Sequence, residues 1–167
     1  MARTVAGRSA ARRDNAPVTV VLDDIDKAII RELQVDGRTP YAKLGPAVGL
    51  SQAAVRQRVQ RLIDSGVMQV VAVTDPQMLG FSLQAMIGLQ IEGDVRPVAA
   101  TLAAIERVEY VVVATGRYDI LIEVVADGSA DLLDFLNDSV RAVAGVRHAE
   151  VFTYLQLEKQ TYSWGTR

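Results

Sequence analysis

Apolar side chains in the first part of the chain recur every three or four positions, which is the spacing of amphipathic helices. The spacing predicts three helices, over residues 22–37, 40–50 and 51–66. Ser51 caps the third helix, and Gly66 ends it. The inward positions of the three helices are Leu22, Ile25, Ile29, Leu33, Leu44, Val48, Val55, Val59 and Leu62. Three helices with a tight glycine-containing turn before the last one predict a helix-turn-helix domain over residues 22–66.

The second of these helices contains the pair Gly45-Pro46. Proline inside a helix costs about 3 kcal/mol unless it lies in the first turn. We therefore expect this helix to begin late, near Pro46.

Beyond Gly66 the pattern changes to the alternation of β-strands. The run VMQVVAVT predicts a linker strand within a hinge over residues 67–80, with Asp75-Pro76 as its turn. From residue 82 the chain alternates as strand, helix, strand, strand, helix, strand. This order predicts a ferredoxin-like βαββαβ sandwich over residues 81–160, and the fold class is therefore α+β.

The inward positions of this second domain follow the same two spacings. Ser129 is expected to cap its second helix. The inward residues are Ala85, Ile87, Leu89, Ile91, Val98, Leu102, Ile105, Leu132, Leu133, Leu136, Val140, Ala149, Val151, Thr153, Leu155 and Leu157. Two helices cover only one face of such a sheet, and apolar residues on both sides of 118–126 favour pairing of the other face. We expect dimerisation through this domain.

The ends of the chain lie outside these patterns. Residues 1–21 carry four arginines without apolar periodicity, which is typical of a mobile basic arm, and residues 161–167 form a tail. An arm that touches DNA and an uninvolved arm are about equally consistent with this composition. The net charge is divided unevenly, because residues 1–75 hold 11 basic and 8 acidic side chains and residues 76–167 hold 7 and 12. The two halves are expected to have different partners.

Composition argues against several classes of site. The chain has no cysteine and one histidine, His148, which leaves no basis for disulfides, zinc sites or thiol nucleophiles. Apolar runs are too short for a membrane span, and the N-terminal residues lack the apolar stretch of a secretory signal. No phosphate-binding glycine loop or catalytic constellation is present. We expect a cytoplasmic protein that is not an enzyme and has no metal or cofactor.

The third helix, SQAAVRQRVQRLIDSG, carries three arginines and three glutamines around its apolar seam. Gln and Arg have the donor and acceptor geometry that base edges in the major groove require, and flanking arginines can hold phosphates. The residues expected to approach DNA are Ser51, Gln52, Ala53, Arg56, Gln57 and Gln60, with Arg58 and Arg61 near phosphates. A solvated amphipathic helix is the alternative, because both residue types are good helix formers.

The segments LDDIDKAIIRELQVDGR, VGLSQAAVRQRVQRLIDSGVM, TDPQMLGF and ATGRYDILIEV stand in an order and spacing that resemble the Lrp/AsnC family of transcriptional regulators. The resemblance covers roughly residues 22–160. It implies a winged helix-turn-helix domain, a linker strand and a ferredoxin-like domain that dimerises and senses small molecules, usually amino acids. It also implies assembly of dimers into tetramers, octamers or larger rings, with effector pockets between dimers.

The resemblance places the effector motif at Thr115, Gly116, Arg117, Tyr118 and Asp119, with Thr153 as a further candidate on the last strand. Gly116 would let backbone approach a ligand, and Asp119 could receive an α-ammonium group. Without the resemblance, this stretch is typical of an ordinary turn in which Asp119 is solvated or caps backbone amides. The resulting hypothesis is a nucleoid-associated, sequence-specific regulator of amino-acid metabolism genes whose effector is an amino acid. The alternative is an amino-acid-binding or oligomerising module without specific DNA binding.

Overall fold

The computed structural model describes residues 20–161 and 165–166. The chain divides into two compact units, one of residues up to Val73 together with those from Lys159, and one of Thr74–Glu158. Each unit has an apolar core of its own. No helix in the described part of the chain is long and apolar enough to cross a membrane.

Within the described residues, the first unit contains three helices, α1 at Asp24–Val35, α2 at Tyr41–Ala47 and α3 at Gln52–Asp64. Its core consists of the buried side chains Ile29, Ile30, Leu33, Leu44, Val55, Val59 and Leu62. The helix-turn-helix that the apolar spacing predicts is confirmed. Burial of these apolar faces holds the three short helices together, since isolated helices of this length are marginal in water.

The late start predicted for α2 is wrong, because the helix begins at Tyr41 and Pro46 lies in its last turn. Pro40 stands just before the helix, and its carbonyl accepts the first helical bonds, from the amides of Lys43 and Leu44. A proline so close to the end removes one backbone bond and leaves no further helix to disrupt.

The turn between α2 and α3 requires Gly45. The Leu50 amide donates to the Gly45 carbonyl at 2.9 Å, and a Cβ on Gly45 would lie 2.6 Å from the Leu50 carbonyl oxygen. Backbone therefore passes closer to Gly45 than any side chain permits, and this contact sets how the chain enters α3.

The second unit is a four-stranded antiparallel sheet with helices on one face. Its elements are β1 at Leu83–Ile91, α4 at Val95–Ala103, β2 at Val108–Val113, β3 at Ile120–Ala126, α5 at Ser129–Phe135, which continues as a π turn at Leu136–Val140, and β4 at Val146–Thr153. The strand order is β2-β3-β1-β4, and neighbouring strands are antiparallel. The βαββαβ order and this sheet confirm the ferredoxin-like sandwich.

Two details of α5 differ from the expectation. Ser129 is the first helical residue rather than its cap, and the Asp131 carboxylate accepts the Asp127 amide at 2.9 Å instead. Leu133 is 53% exposed, whereas Phe135 is buried. The π turn accounts for the burial of Phe135 in place of Leu133. Its wider turn rotates Val140 back onto the face of Leu132, and Leu133 therefore lies outside the buried face.

The last strand ends at Thr153, so Leu155 and Leu157 are not the inward positions that alternation predicts. Leu155 is 95% exposed. The reason is the length of the neighbouring strand, since the Tyr154 amide donates to Gln84 near the start of β1 and little ladder remains beyond it.

The linker strand predicted within residues 67–80 is also absent from this single chain, where the only regular element of that segment is a short 3₁₀ helix at Gln77–Leu79. No strand that could form a wing occurs in residues 20–73 either. A strand needs a ladder partner and a buried face. Val70, Val71 and Val73 are at least half exposed, so the β propensity of this run is not satisfied within the chain.

Candidate DNA-binding helix and effector loop

Helix α3 is defined at both ends by local chemistry. The Ser51 hydroxyl accepts the Ala54 amide at 3.2 Å, and Gly66 adopts a positive φ of 73° just after the helix. Between them Val55, Val59 and Leu62 form a fully buried seam. The seam fixes the rotation of α3, so the side chains on its opposite face are turned to solvent.

That outer face carries the residues expected to read bases, and all of them are exposed: Ser51, Gln52, Ala53, Arg56, Gln57 and Gln60. An open concavity of about 790 Å³ runs along this face, lined by Ala53, Arg56, Gln57, Gln60, Arg61, Asp64 and Ser65. The Gln60 side-chain amide (Nε2) donates to the Asp64 carboxylate at 2.8 Å. The contacts of these residues with DNA stay a prediction.

The two arginines expected near phosphates are engaged with acids of α1. Arg58 Nη1 lies 2.6 Å from Asp23 Oδ2 and 2.8 Å from Asp26 Oδ1, while Arg61 Nη2 pairs with Asp26 Oδ2. The Asp26 side chain is only 1% exposed. A buried carboxylate needs partners of this kind, because an unpaired charge in the protein interior is strongly unfavourable.

Asp23 and Asp26 also cap α1 through a reciprocal pair of bonds. Asp23 Oδ1 accepts the Asp26 amide at 2.7 Å, and Asp26 Oδ2 accepts the Asp23 amide at 3.3 Å. The Asp26 amide, followed by the Arg58 guanidinium, lowers the pKa of the Asp23 carboxyl below its ordinary value. The hydrogen bonds to both carboxylates raise the pKa of Arg58.

The pairing of these aspartates with α3 was not predicted from the sequence. Two signals for it are present in the sequence. Asp23 and Asp26 stand at the spacing of a capping box, and Arg58 and Arg61 stand on the flanks of the apolar seam, where long side chains can reach a neighbouring helix.

The predicted effector motif, residues 115–119, forms the turn between β2 and β3. Gly116 has a φ of 127°, which side chains rarely tolerate, and the Ala114 amide donates to the Asp119 carbonyl at 2.9 Å. The turn is tied to β1 by the Asp119 amide, which donates to the Leu89 carbonyl at 2.8 Å. These bonds hold the turn at one end of the sheet.

The Asp119 carboxylate is oriented by backbone, since its Oδ2 accepts the Ile91 amide at 2.8 Å. This is the amide-capping role that an ordinary turn would give it. A carboxylate offers about four acceptor positions, so this bond leaves capacity for a further donor. The Gln90 side-chain amide (Nε2) donates to the Arg117 carbonyl at 3.1 Å and fixes the middle of the turn.

Tyr118 lies across β1 and reaches β4. Its ring covers Gly88, where an added Cβ would lie 2.7 Å from the ring, and it contacts Phe152 edge-on with 5.9 Å between ring centres. The Tyr118 hydroxyl donates to Glu150, which also pairs with Arg117 Nη2 at 3.3 Å. The Glu150 carboxylate raises the pKa of Tyr118.

The structure brings together residues 115–119 but places Thr153 elsewhere. Thr153 pairs with Ala85, whereas Asp119 binds at Leu89, so four residues of β1 separate them, roughly 13 Å at strand spacing. Sequence reasoning missed Gly88, Gln90 and Glu150, which surround the turn. A glycine inside a strand was the available signal, because it often marks the close approach of another group.

Comparison with known proteins agrees with the folds of both units. Residues 22–63 match the AsnC-type helix-turn-helix domain, and residues 81–167 match a C-terminal dimeric alpha+beta barrel domain. A DNA-binding helix-turn-helix joined to such a domain defines a transcriptional regulator. The chain belongs to the Lrp/AsnC family of these regulators.

Individual relatives extend over most of the chain. The HTH-type transcriptional regulator FL11 of Pyrococcus furiosus is 34% identical over 143 residues, which cover 84% of this chain and 94% of FL11. Among solved structures, the leucine response regulatory protein LrpA of Mycobacterium tuberculosis is 32% identical with a TM-score of 0.75, covering 83% of this chain and 96% of LrpA. A transcriptional regulator of Neisseria meningitidis in complex with L-Met is 28% identical with a TM-score of 0.75, covering 86% and 96% of the two chains.

Proposed function

We propose that this regulator binds specific DNA sequences near genes of amino-acid metabolism, in the cytoplasm, and that an amino acid bound beside Asp119 alters this binding. The observation that carries the DNA-binding half is the outer face of α3, where glutamines and Arg56 are exposed above a buried seam. The role is regulatory, and no catalytic step is proposed.

Side-chain chemistry supports base reading by this face. Gln can pair bidentately with adenine, and Arg with guanine, in the major groove. Ser51, Gln52, Ala53, Arg56, Gln57 and Gln60 lie on the exposed side or the N-terminal turn of α3, the part of a recognition helix that contacts base edges. Because the matching C-terminal domain is dimeric, two copies of α3 predict an operator with two half-sites about one helical turn apart.

The amino-acid half of the proposal rests on the turn at residues 115–119. Asp119 is held by the Ile91 amide and retains acceptor capacity for an α-ammonium group. Gly116 keeps one side of the turn open, and the L-Met complex of the Neisseria relative supports an amino acid as the ligand class. Thr153 on β4 pairs with the end of β1 that is far from this turn. It would therefore join such a site only from another copy of the chain.

Regulation then follows from linkage. An effector changes DNA binding only if its affinity differs between two assembly states or two domain arrangements. We propose that dimers assemble into tetramers or octamers and that the effector binds between dimers. A tenfold change in DNA affinity requires a coupling free energy of only about 1.4 kcal/mol.

The experiment that tests the proposal is fluorescence anisotropy with labelled DNA from immediately upstream of the gene, an unrelated competitor duplex, and each amino acid in turn. Specific binding that one amino acid alters supports both halves and identifies the effector. Binding no tighter than to the competitor, without any amino-acid response, refutes the proposal for that DNA and favours the alternative below.

The alternative is an amino-acid-binding or oligomerising module without specific DNA binding. The observation in its favour is that two of the three arginines on α3 are paired with acids and that Gln60 is held by Asp64. Arg56→Ala distinguishes the two functions. It should abolish preference among DNA sequences while the assembly stays intact, whereas a module would bind DNA weakly and without preference before and after the change.

A further inference from the structure

Four charged groups meet where α1 crosses α3. Arg58 Nη1 bridges Asp23 Oδ2 at 2.6 Å and Asp26 Oδ1 at 2.8 Å, and Arg61 Nη2 pairs with the second oxygen of Asp26. Two carboxylates and two guanidinium groups give this cluster a net charge of zero. The side chain of Arg58 is 28% exposed and that of Asp26 is 1% exposed. Asp26 is therefore buried beneath its partners, while Asp23 and Arg61 are each 50% exposed at the surface of the helix-turn-helix unit.

Arg56 provides the contrast on the same helix. It stands two residues earlier, is exposed, and forms no ion pair with any residue in the described ranges 20–161 and 165–166. Its charge is uncompensated on the face proposed to meet DNA. Two arginines of similar sequence context thus have opposite electrostatic environments.

We propose that Arg58 is a positioning residue, which Asp23 and Asp26 hold so that it orients α3 against α1, and that it does not contact a DNA phosphate. This inference rests on the proposed DNA binding, and it replaces the phosphate contact that the sequence alone indicated for Arg58.

The burial of Asp26 is the physical reason. Arg58 Nη1 donates to both Asp23 and Asp26, so moving this guanidinium outward to a phosphate would take it from a carboxylate that is almost wholly removed from water. Separating one partner of a buried pair leaves the other charge desolvated and uncompensated, and a phosphate at the surface does not restore it. The reciprocal capping bonds of Asp23 and Asp26 hold both carboxylates at the start of α1, so they cannot follow Arg58 outward.

The salt dependence of DNA affinity distinguishes an Arg58 that contacts a phosphate from an Arg58 that only positions α3. A cation that neutralises a DNA phosphate releases condensed counterions, and each such contact contributes about 0.9 to the slope of log affinity against log salt concentration. An arginine already neutralised by its own protein contributes nothing to this slope. A purely structural role changes affinity without changing the number of ions released.

The test uses the full chain and a fluorescein-labelled duplex of mixed sequence, with anisotropy titrations between about 50 and 200 mM KCl. The variant is Asp23→Asn with Arg58→Gln, which removes one charge of each sign. It leaves the cluster neutral and keeps a good cap at the start of α1, since Asn is a strong cap residue. The matched control is Arg56→Gln, the same loss of one arginine from the same helix.

The double variant is expected to keep the slope of the unmodified protein even if its affinity falls. Arg56→Gln should lower the slope by up to about 0.9, because on a duplex that lacks the operator the uncompensated Arg56 is available to neutralise a phosphate. A double variant whose slope falls by about 0.9 overturns the inference and returns Arg58 to a phosphate. An unmodified protein that binds neither this duplex nor the DNA immediately upstream of its gene contradicts the proposed function instead, so the two failures are distinguishable.

A second measurement uses the unmodified protein and therefore does not require any variant to fold. Nitrogen-15 NMR of the arginine side chains in the unmodified protein reports each guanidinium before and after addition of the duplex. The Arg58 signals should stay where they are while those of Arg56 move. Movement of the Arg58 signals to the range of phosphate-bound arginine contradicts the inference.

Discussion

Replacing Gly45 with alanine should destabilise the helix-turn-helix unit, although alanine is the better helix former. Gly45 lies inside α2 and does not have a positive φ, so its backbone conformation suits alanine. Space alone decides the outcome. The added Cβ would lie 2.6 Å from the Leu50 carbonyl oxygen, whereas ordinary contacts begin near 3.4 Å.

The magnitude follows from three contributions. Alanine gains about 1 kcal/mol over glycine in a helix interior. Against this, overpacking a buried site costs about 1 to 3 kcal/mol, and moving the Leu50 peptide away weakens its 2.9 Å bond to the Gly45 carbonyl, which contributes about 0.5 to 1.5 kcal/mol. The net loss of unfolding free energy is therefore about 0.5 to 3.5 kcal/mol. DNA affinity should fall as well, because the displaced turn leads directly into Ser51 and α3.

Urea denaturation followed by circular dichroism measures the loss, and Gly37→Ala is the control. A Cβ on Gly37 would lie 3.5 Å from Val70 Cγ1, which is an ordinary contact, and Gly37 also lacks a positive φ. Its change in stability should stay within about 0.5 kcal/mol. A Gly45→Ala protein as stable as the control would refute the reasoning that the α2–α3 turn has no room for a methyl group.

Three further predictions concern single side chains. Asp26→Ala should lower the unfolding free energy by about 1.5 to 3 kcal/mol in urea titration, because it removes the buried carboxylate that accepts hydrogen bonds from the partly exposed Arg58 and Arg61; a loss below about 1 kcal/mol would show that the pairing is not structural. Asp119→Ala should remove the heat of amino-acid binding in calorimetry while the melting curve of the C-terminal unit persists, and an unchanged heat would place the effector elsewhere. Burial and a hydrogen bond to Glu123 raise the pKa of Tyr154 to about 12, so its stabilising effect is complete below about pH 10 and is lost as the pH rises from there through 12. Ultraviolet titration should show a late tyrosinate component that Tyr154→Phe removes; an unchanged late component would assign it to another tyrosine.

The candidate effector turn shows how much of a site a local motif can identify. Residues 115–119 are identified by resemblance, and the structure holds them together through bonds to β1. Thr153 was grouped with them because of its place on the last strand. The register of β4 against β1 puts it at the opposite end of the sheet, and register depends on pairings that no local pattern contains.

Local sequence patterns determined the elements of this protein. Apolar spacing is set by the geometry of helices and strands, so three helices and the βαββαβ order could be read directly, together with the exposed face of α3. The cap at Ser51 and the stop at Gly66 were equally local, because one side chain or one positive φ suffices for each.

Only the tertiary structure determined which arginine side chains of α3 are paired with acids. Apolar spacing places Arg56 on the outer face of α3 and Arg58 on its flank, but only the packed chain shows that Arg56 is exposed while Arg58 is held by Asp23 and Asp26, more than thirty positions earlier in the chain. Tertiary packing also opened the π turn that exposes Leu133, and it left residues 67–76 without a strand partner. Each of these features depends on contacts between groups that are distant in sequence. Such contacts form only when the chain packs, and local periodicity does not predict them.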